Sequence, residues 1–288
     1  MSNLPGQPFQ PLEPARVHLG AGEFLMGSND FYPEERPQRP VQVNAFQIDS
    51  LPVRNGDFAR FVDATGYVTQ AEQQGHSHVF QMSQSPVPLN NPDLWWKAVQ
   101  GASWRNPRPG DPLPSNFDSH PVVHVALVDA KAYVAWCGGR LPTEAEWEYA
   151  CKGGMGPSRF AWGDEFAPEG QRMAHVWQGA FPWYYAPGGQ PDTSPGTVAV
   201  GQFPANGFGL FDMIGNVWEW TQSVFNNTAT CCSCSPVQDA QILFTLKGGS
   251  HLCAAEYCLR YRPAARMGLA GASSTSHIGF RCAYNTPM

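Results

Sequence analysis

Cys253 and Cys258 lie five positions apart in KGGSHLCAAEYCLRYRPAAR, residues 247–266. Two thiols at such a distance can close a disulfide, hold a soft metal or carry out chemistry on sulfur. Regular elements do not bring them together. Five residues of helix turn the second side chain about 140° from the first, and an odd step along a strand puts the two on opposite faces. A turn can make them converge. Zinc would call for four ligands in paired C-x-x-C style, which this pair does not follow. Two thiolates alone suit Cu(I), which accepts low coordination by soft ligands. On spacing, a local disulfide, two unrelated thiols and a reactive metal–dithiol site all stay open.

Other side chains invite the same question. In DMIGNVWE, Asp212 and Glu219 bracket a Gly215-Asn216 turn, so both carboxylates and the carbonyls between them could wrap a hard cation such as Ca²⁺. The plainer reading is a hairpin with Trp218 and Trp220 in the core and both acids in water. His120 and His124 in HPVVHV share one face if the segment is a strand, yet no third ligand accompanies them, and a structural role is expected. His76, His78 and His251 are candidates for lining a groove. In CCSCSP, Cys231 or Cys232 could pair with Cys234, and a loop staple or an inert surface role is expected. Cys137, Cys151 and Cys282 are scattered and read as buried small apolar residues.

The elements that must position these groups are short. Of 288 residues, 42% are hydrophobic and 15% charged, enough apolar material for one large domain or two modest ones. A net charge of −6 and the lack of a Lys/Arg run argue against nucleic-acid binding. No signal-peptide pattern opens the chain, and no run of about 18 apolar residues could span a membrane. A soluble, cytoplasmic protein is expected. Gly (29) and Pro (27) are abundant, so turns should be many and helices few.

Three segments read as helices: NGDFARFVDATG with Asn55 as cap and Gly66 as stop, DAKAYVAWCGG capped by Asp129, and RLPTEAEWEYACKGG. In the last, Thr143 and Glu146 form a capping box, Gly153 ends the helix, and Trp147, Ala150 and Cys151 face inward. Glu144, Glu146 and Glu148 read as dipole compensation on a solvated face. VQVNAFQID, VVHVA, NVWEWT and IGFRCA read as strands. Residues 76–118 and 164–200 are long irregular stretches, expected to carry function. With no repeat and no linker, one α+β domain follows.

Five segments carry a resemblance. GGRLPTEAEWEYACKGG, FAWGDEF, GFGLFDMIGNVWEW, LKGGSHLCAAEYCLRYRPAAR and IGFRCA follow one another as in the formylglycine-generating enzymes, the sulfatase-modifying factor family. GEFLMGS, ATGYVTQAE, the pair Trp95 and Trp96, and HPVVHVA are similar too, so the likeness runs from about Val17 to Ala283. It implies a single compact domain with little regular secondary structure, a variant of the C-type lectin-like fold. Residues 17–285 would form that domain and residues 1–16 an N-terminal extension.

The resemblance also implies chemistry. Such enzymes oxidise the cysteine of a CxPxR motif in an unfolded sulfatase to Cα-formylglycine, using Cu(I), dioxygen and an external reductant. Hydrogen abstraction at the substrate Cβ gives a thioaldehyde, which water converts to the aldehyde with loss of sulfide. Cys253 and Cys258 match the copper-binding, catalytic cysteines, Ser250 the active-site serine and Trp218 the active-site tryptophan. A structural calcium site corresponds to the side chains of Asp212 and Glu219 and the carbonyls of Met213, Gly215 and Val217. A second calcium site has His175 in place of an asparagine, leaving Asp192.

The chain departs from the pattern at Ala272, which replaces an acid, and at His277, which replaces an asparagine near the active site. Pro263 and Val134 stand where secreted relatives place disulfide cysteines, Val134 being the counterpart for Cys282. Two rival functions fit the resemblance less well. A sulfoxide synthase would need a companion helical bundle, and a non-catalytic peptide-binding member would typically lack the paired thiols.

Overall fold

Hydrogen bonding divides the strands among four small sheets in a computed structural model that describes residues 14–189, 195–226 and 242–286. The first joins β1 (Arg16–Leu19), β4 (Phe46–Asp49) and β11 (Ala283–Asn285), all antiparallel, so segments from both ends of the chain share one sheet. The second has the order β10 (Ile278–Gly279), β7 (Trp218–Val224), β8 (Leu243–Lys247), β9 (Arg266–Ala270). Its β10–β7 pairing is parallel, with Ile278 opposite Trp218. Two hairpin-like pairs complete the set: β2 (Gly22–Met26) with β3 (Arg39–Val43), and β5 (His76–Phe80) with β6 (Trp96–Gln100). The α+β expectation with little regular structure holds, since among the described residues no helix exceeds 11 residues and no strand exceeds 7.

Three helices form where local signals place them, with shifted starts in two. The helix α1 (Asn55–Thr65) is capped by Arg54 and not by Asn55. Asp57 accepts the Arg54 backbone N–H at 3.3 Å and its Nε at 2.8 Å, while the Asn55 amide is spent on the Phe117 carbonyl at 3.0 Å. After α2 (Gln70–Gln74), α3 (Leu127–Trp136) begins ahead of its expected cap. Asp129 sits in the first turn, where its carboxylate reaches back to the Ala126 N–H at 2.8 Å. In α4 (Glu144–Lys152) the capping box is as expected, with Thr143 and Glu146 exchanging bonds of 2.8 and 3.1 Å. The short α2 was not anticipated, although Thr69 and Glu72 form the same box.

Two expectations are corrected. The glutamates of α4 do not lie on a solvated face. Glu148 is buried, bonds Lys247 at 2.9 Å and accepts the Gly27 N–H at 2.7 Å, while Glu144 pairs with Arg266 at 2.8 Å. The helix is walled in by β2, β3, β7 and β8, so these acids answer buried cations rather than water. VVHVA is not a strand, because His124 takes a left-handed conformation (φ 59°) that breaks the alternation. Both histidines are nevertheless structural. His120 bonds Thr197 and Asn116 at 3.0 and 3.2 Å, and His124 bonds Ser77 and the Pro107 carbonyl at 2.8 and 3.0 Å.

The main core gathers Trp147, Trp220, Phe58, Phe280 and Ile48 between the sheets and α1, α3 and α4. A second apolar cluster of Phe80, Trp95, Trp177, Phe181 and Tyr185 is contributed by residues 76–118 and 164–200. The first of these stretches is not irregular throughout, since β5 and β6 pair within it. Cys151 and Cys282 are buried as expected, but Cys137 is half-exposed. The thiol facing Cys282 belongs to Cys137, 3.8 Å away and one helical turn beyond Val134. Cys231, Cys232, Cys234 and Asp192 lie outside the described residues.

Candidate active site

The turn required by the five-residue spacing is present. The Ala254 carbonyl accepts the N–H groups of Tyr257, Cys258 and Leu259 at 3.3, 3.0 and 2.9 Å, and Leu259 is left-handed (φ 39°). This coil swings Cys258 back toward Cys253, near enough for each thiol to shift the other's hold on its proton, while both remain free. Upstream, Gly248 and Gly249 have φ of 97° and 71°. A Cβ on Gly249 would stand 2.7 Å from the Arg260 carbonyl, so the Gly-Gly step lets the two arms of the loop touch.

Burial pushes the Cys253 thiol well above its usual range. Cys258 is lowered, first by the hydrogen bond from the Cys253 thiol and further by the backbone at Arg260 and Ala254. Cys258 is therefore the sulfur that yields its proton first. Ser250 is completely buried, its Oγ accepts the Leu252 N–H at 3.2 Å, and its N–H points at Cys253 Sγ at 3.4 Å.

Cys253, Cys258, Ser250 and Trp218 all line one cavity of about 510 Å³. Trp218 is fixed by β7, and its N–H donates to the His277 carbonyl at 2.9 Å. The aromatic wall comes from Trp95 and Trp96 at the start of β6, from Phe181 and from Tyr257 of the cysteine loop itself. Phe181 and Tyr257 stack at 4.5 Å, and Trp95 meets each edge-on. His277 packs on Trp96 at 4.7 Å and bonds Thr275 through Nδ1 at 3.0 Å. Burial depresses it to about 3, so the imidazole is neutral. Of the other departures and histidines, His78 lines the cavity, whereas Ala272 lies on an exposed turn and His76 and His251 lie outside the lining.

One feature of the site has no local sequence signal. Residues 31–35, far upstream, clamp the loop that carries Cys258. The Tyr32 hydroxyl donates to the Cys258 carbonyl at 2.7 Å. Arg260 lies over the Tyr32 ring at 4.0 Å and pairs with Glu34 at 2.6 Å. Arg262 makes two bonds to Glu35, at 2.7 and 2.6 Å, with both side chains buried, and stacks on Phe31 at 3.6 Å.

The donor chemistry fits a soft cation at the dithiol: two free sulfurs, one readily deprotonated, in a half-open cavity with room beside them. Around DMIGNVWE, Glu219 is buried, not solvated, and accepts from Trp147 Nε1 at 2.7 Å and from Arg281 at 2.8 and 2.7 Å. Asp212, left-handed (φ 52°), accepts the Gly201 N–H at 2.6 Å. Burial, opposed by that bond and reinforced by the Glu219 charge, pushes Asp212 up to about 6. Two buried carboxylates facing one guanidinium leave an excess negative charge, which a hard cation would relieve while sharing Glu219 with Arg281. His175 bonds the Gly196 carbonyl at 2.8 Å.

Comparison with known proteins agrees with this arrangement. Residues 2–286 match the Sulfatase-modifying factor enzyme 1-like domain. The Formylglycine-generating enzyme of Mycobacterium tuberculosis is 50% identical over 92% of this chain and 96% of its own length. The Inactive C-alpha-formylglycine-generating enzyme 2 of Mus musculus is 39% identical, over 94% and 86%. Among solved structures, PvdO from Pseudomonas aeruginosa shares the fold with a TM-score of 0.62 at 24% identity, covering 97% of this chain and all of that one. A match over nearly the whole chain, on the fold that brings the two thiols together, places this protein in the formylglycine-generating enzyme (sulfatase-modifying factor) family.

Proposed function

We propose that the protein oxidises the cysteine of a CxPxR motif in an unfolded sulfatase to Cα-formylglycine. The observation that carries this reading is the free Cys253–Cys258 dithiol in an aromatic-walled cavity of about 510 Å³. A relative named inactive is 39% identical, so family membership alone does not decide catalysis. The dithiol favours the oxidase.

Cys253 and Cys258 would hold Cu(I), which would supply the redox chemistry by which dioxygen oxidises the substrate thiol. The remaining work falls to the chain. Cys258 gives up its proton most readily and Cys253 follows when a cation replaces it. Ser250 Oγ already accepts the Leu252 N–H, so its own hydrogen is left to donate into the cavity toward water or a polar substrate atom. Trp218 and the stacked Phe181 and Tyr257 exclude bulk water around the substrate Cβ. Arg260 stands at the cavity lining, where an extended peptide would pass. An unfolded substrate suits such a cleft because only an extended chain can lower one side chain into the cavity beside these rings. An external reductant completes the electron balance.

Asp212 and Glu219, with the carbonyls of Met213, Gly215 and Val217, would hold a structural Ca²⁺. A reducing cytoplasm suits the free thiols, and no helix among the described residues is long and apolar enough to cross a membrane.

The test is to incubate Cu(I)-loaded protein with oxygen, a reductant and a CxPxR peptide. Mass spectrometry should find an aldehyde that an aminooxy reagent captures. Peptide binding without any aldehyde would overturn the oxidase reading in favour of a binding protein.

A further inference from the structure

Cys137 and Cys282 make a second thiol pair, outside the cavity lining. Their sulfurs stand 3.8 Å apart and both are free. Cys137 ends α3 and is half-exposed, whereas Cys282 is 1% exposed beside β11. The Tyr284 hydroxyl lies 3.8 Å from Cys137 Sγ, and the Val134 carbonyl accepts from it at 3.3 Å. Among the described residues no third His, Cys, Asp or Glu joins them as a metal cluster, so a dithiol is what the site offers.

The two sulfurs have unlike environments. Hydrogen bonding from Cys282, offset by burial, brings the Cys137 thiol down to about 6. Cys282 is raised well above its usual range by the same bond and by burial. The accessible sulfur is thus the better thiolate and the buried one keeps its proton, the division of labour between an attacking and a resolving thiol.

We propose that Cys137 and Cys282 form a redox modification site that acquires a disulfide by exchange with a low-molecular-weight disulfide, clipping the end of α3 to the final strand. Cys137 thiolate attacks one sulfur of the small disulfide, forming a mixed disulfide and releasing one small thiolate. Cys282 sulfur then attacks Cys137 Sγ and expels the second small thiolate, which takes up the Cys282 proton as it leaves. The protein dithiol is oxidised by two electrons and the small disulfide is reduced to two thiols. The sulfurs must close from 3.8 Å to a bond of about 2 Å.

The bridge would join positions 145 residues apart, so it constrains a long stretch of the unfolded chain. It would also anchor the segment holding Arg281, whose guanidinium grips Glu219 behind the cavity. The site stands apart from the oxidase reading and can survive its failure.

Oxidised glutathione serves as the probe on the full chain, followed by alkylation, digestion under non-reducing conditions and mass spectrometry. A Cys137–Cys282 crosslinked peptide is expected, with the thermal midpoint about 5 °C above that of the reduced protein. Cys137→Ser should lose both peptide and shift, and Cys253→Ser should keep both. Glutathione retained on Cys137 without transfer to Cys282, or bridges confined to the other cysteines, would overturn the proposal. So would a full thermal shift in Cys137→Ser.

Discussion

At the second thiol, geometry and protonation are set by separate groups. Cys258 is lowered by its partner thiol and neighbouring backbone, but its position depends on a hydroxyl from residue 32. Cys258→Ser should therefore reduce aldehyde formation by at least 100-fold while leaving peptide binding intact, read by single-turnover mass spectrometry and fluorescence titration. Tyr32→Phe removes one hydrogen bond and keeps the ring under Arg260. A loss of about 1 kcal/mol in urea unfolding is expected, with several-fold weaker Cu(I) retention against a chelator. Unchanged retention would show that the clamp is structural padding. The sequence made Cys253, Cys258, Ser250 and Trp218 legible because glycine, spacing and motif order are local properties. Tyr32 and Glu35 were not legible, because their partners lie 226 and 227 residues away and no periodicity links them.

Among the elements, α4 was read most fully because its capping box and αL glycine are signals within a single helix. Its glutamates were misread for the complementary reason. An acid in a short helix looks the same in sequence whether water or a buried lysine faces it. Glu148 and Lys247 have 1% and 0% of their side chains exposed, so removing Glu148 leaves the buried lysine only the longer contact to Glu144 at 3.8 Å, and removing Lys247 leaves Glu148 a buried charge without its cation. Glu148→Gln should cost about 3–5 kcal/mol, whereas Glu148→Leu combined with Lys247→Met should recover much of it. Urea midpoints of the single and double variants decide this, and equal losses in both would refute it. HPVVHV failed as a strand because alternation is a weak signal when one residue must turn left-handed. The hydrogen bonds of His120 and His124 then hold a loop where a sheet was expected.

The whole molecule depends on polar groups kept inside, and this gives its stability a pH signature. His120 and His124 are depressed to about 4, and His277 to about 3, all chiefly by burial. Between about 6.5 and 4 the unfolded chain binds protons that the folded state refuses, so their contribution is complete above 6.5 and drains away as pH falls. Asp49 and Asp212, raised to about 6, and Asp129, also raised, all chiefly by burial, work in the opposite sense over part of that window, while His251, held well below its usual range, makes a fourth histidine against these three acids. The thermal midpoint should fall between pH 7 and pH 5, and a rise would contradict the assignment. Stripping calcium with a chelator should lower the midpoint at pH 7 in wild type and leave Asp212→Asn, already weakened, nearly unmoved. The overall class was legible from glycine and proline content, but the arrangement of sheets was not, since β11 on β4 and β10 on β7 pair segments far apart in the chain. The clamp by residues 31–35 also sets an order of events during synthesis. At about 5–20 residues per second, Tyr32 emerges at least ten seconds before the carbonyl it must hold, so the dithiol acquires its final shape only when almost all of the chain has been made. Metal retention should thus report completed folding, and nascent chains arrested before Cys258 should carry none.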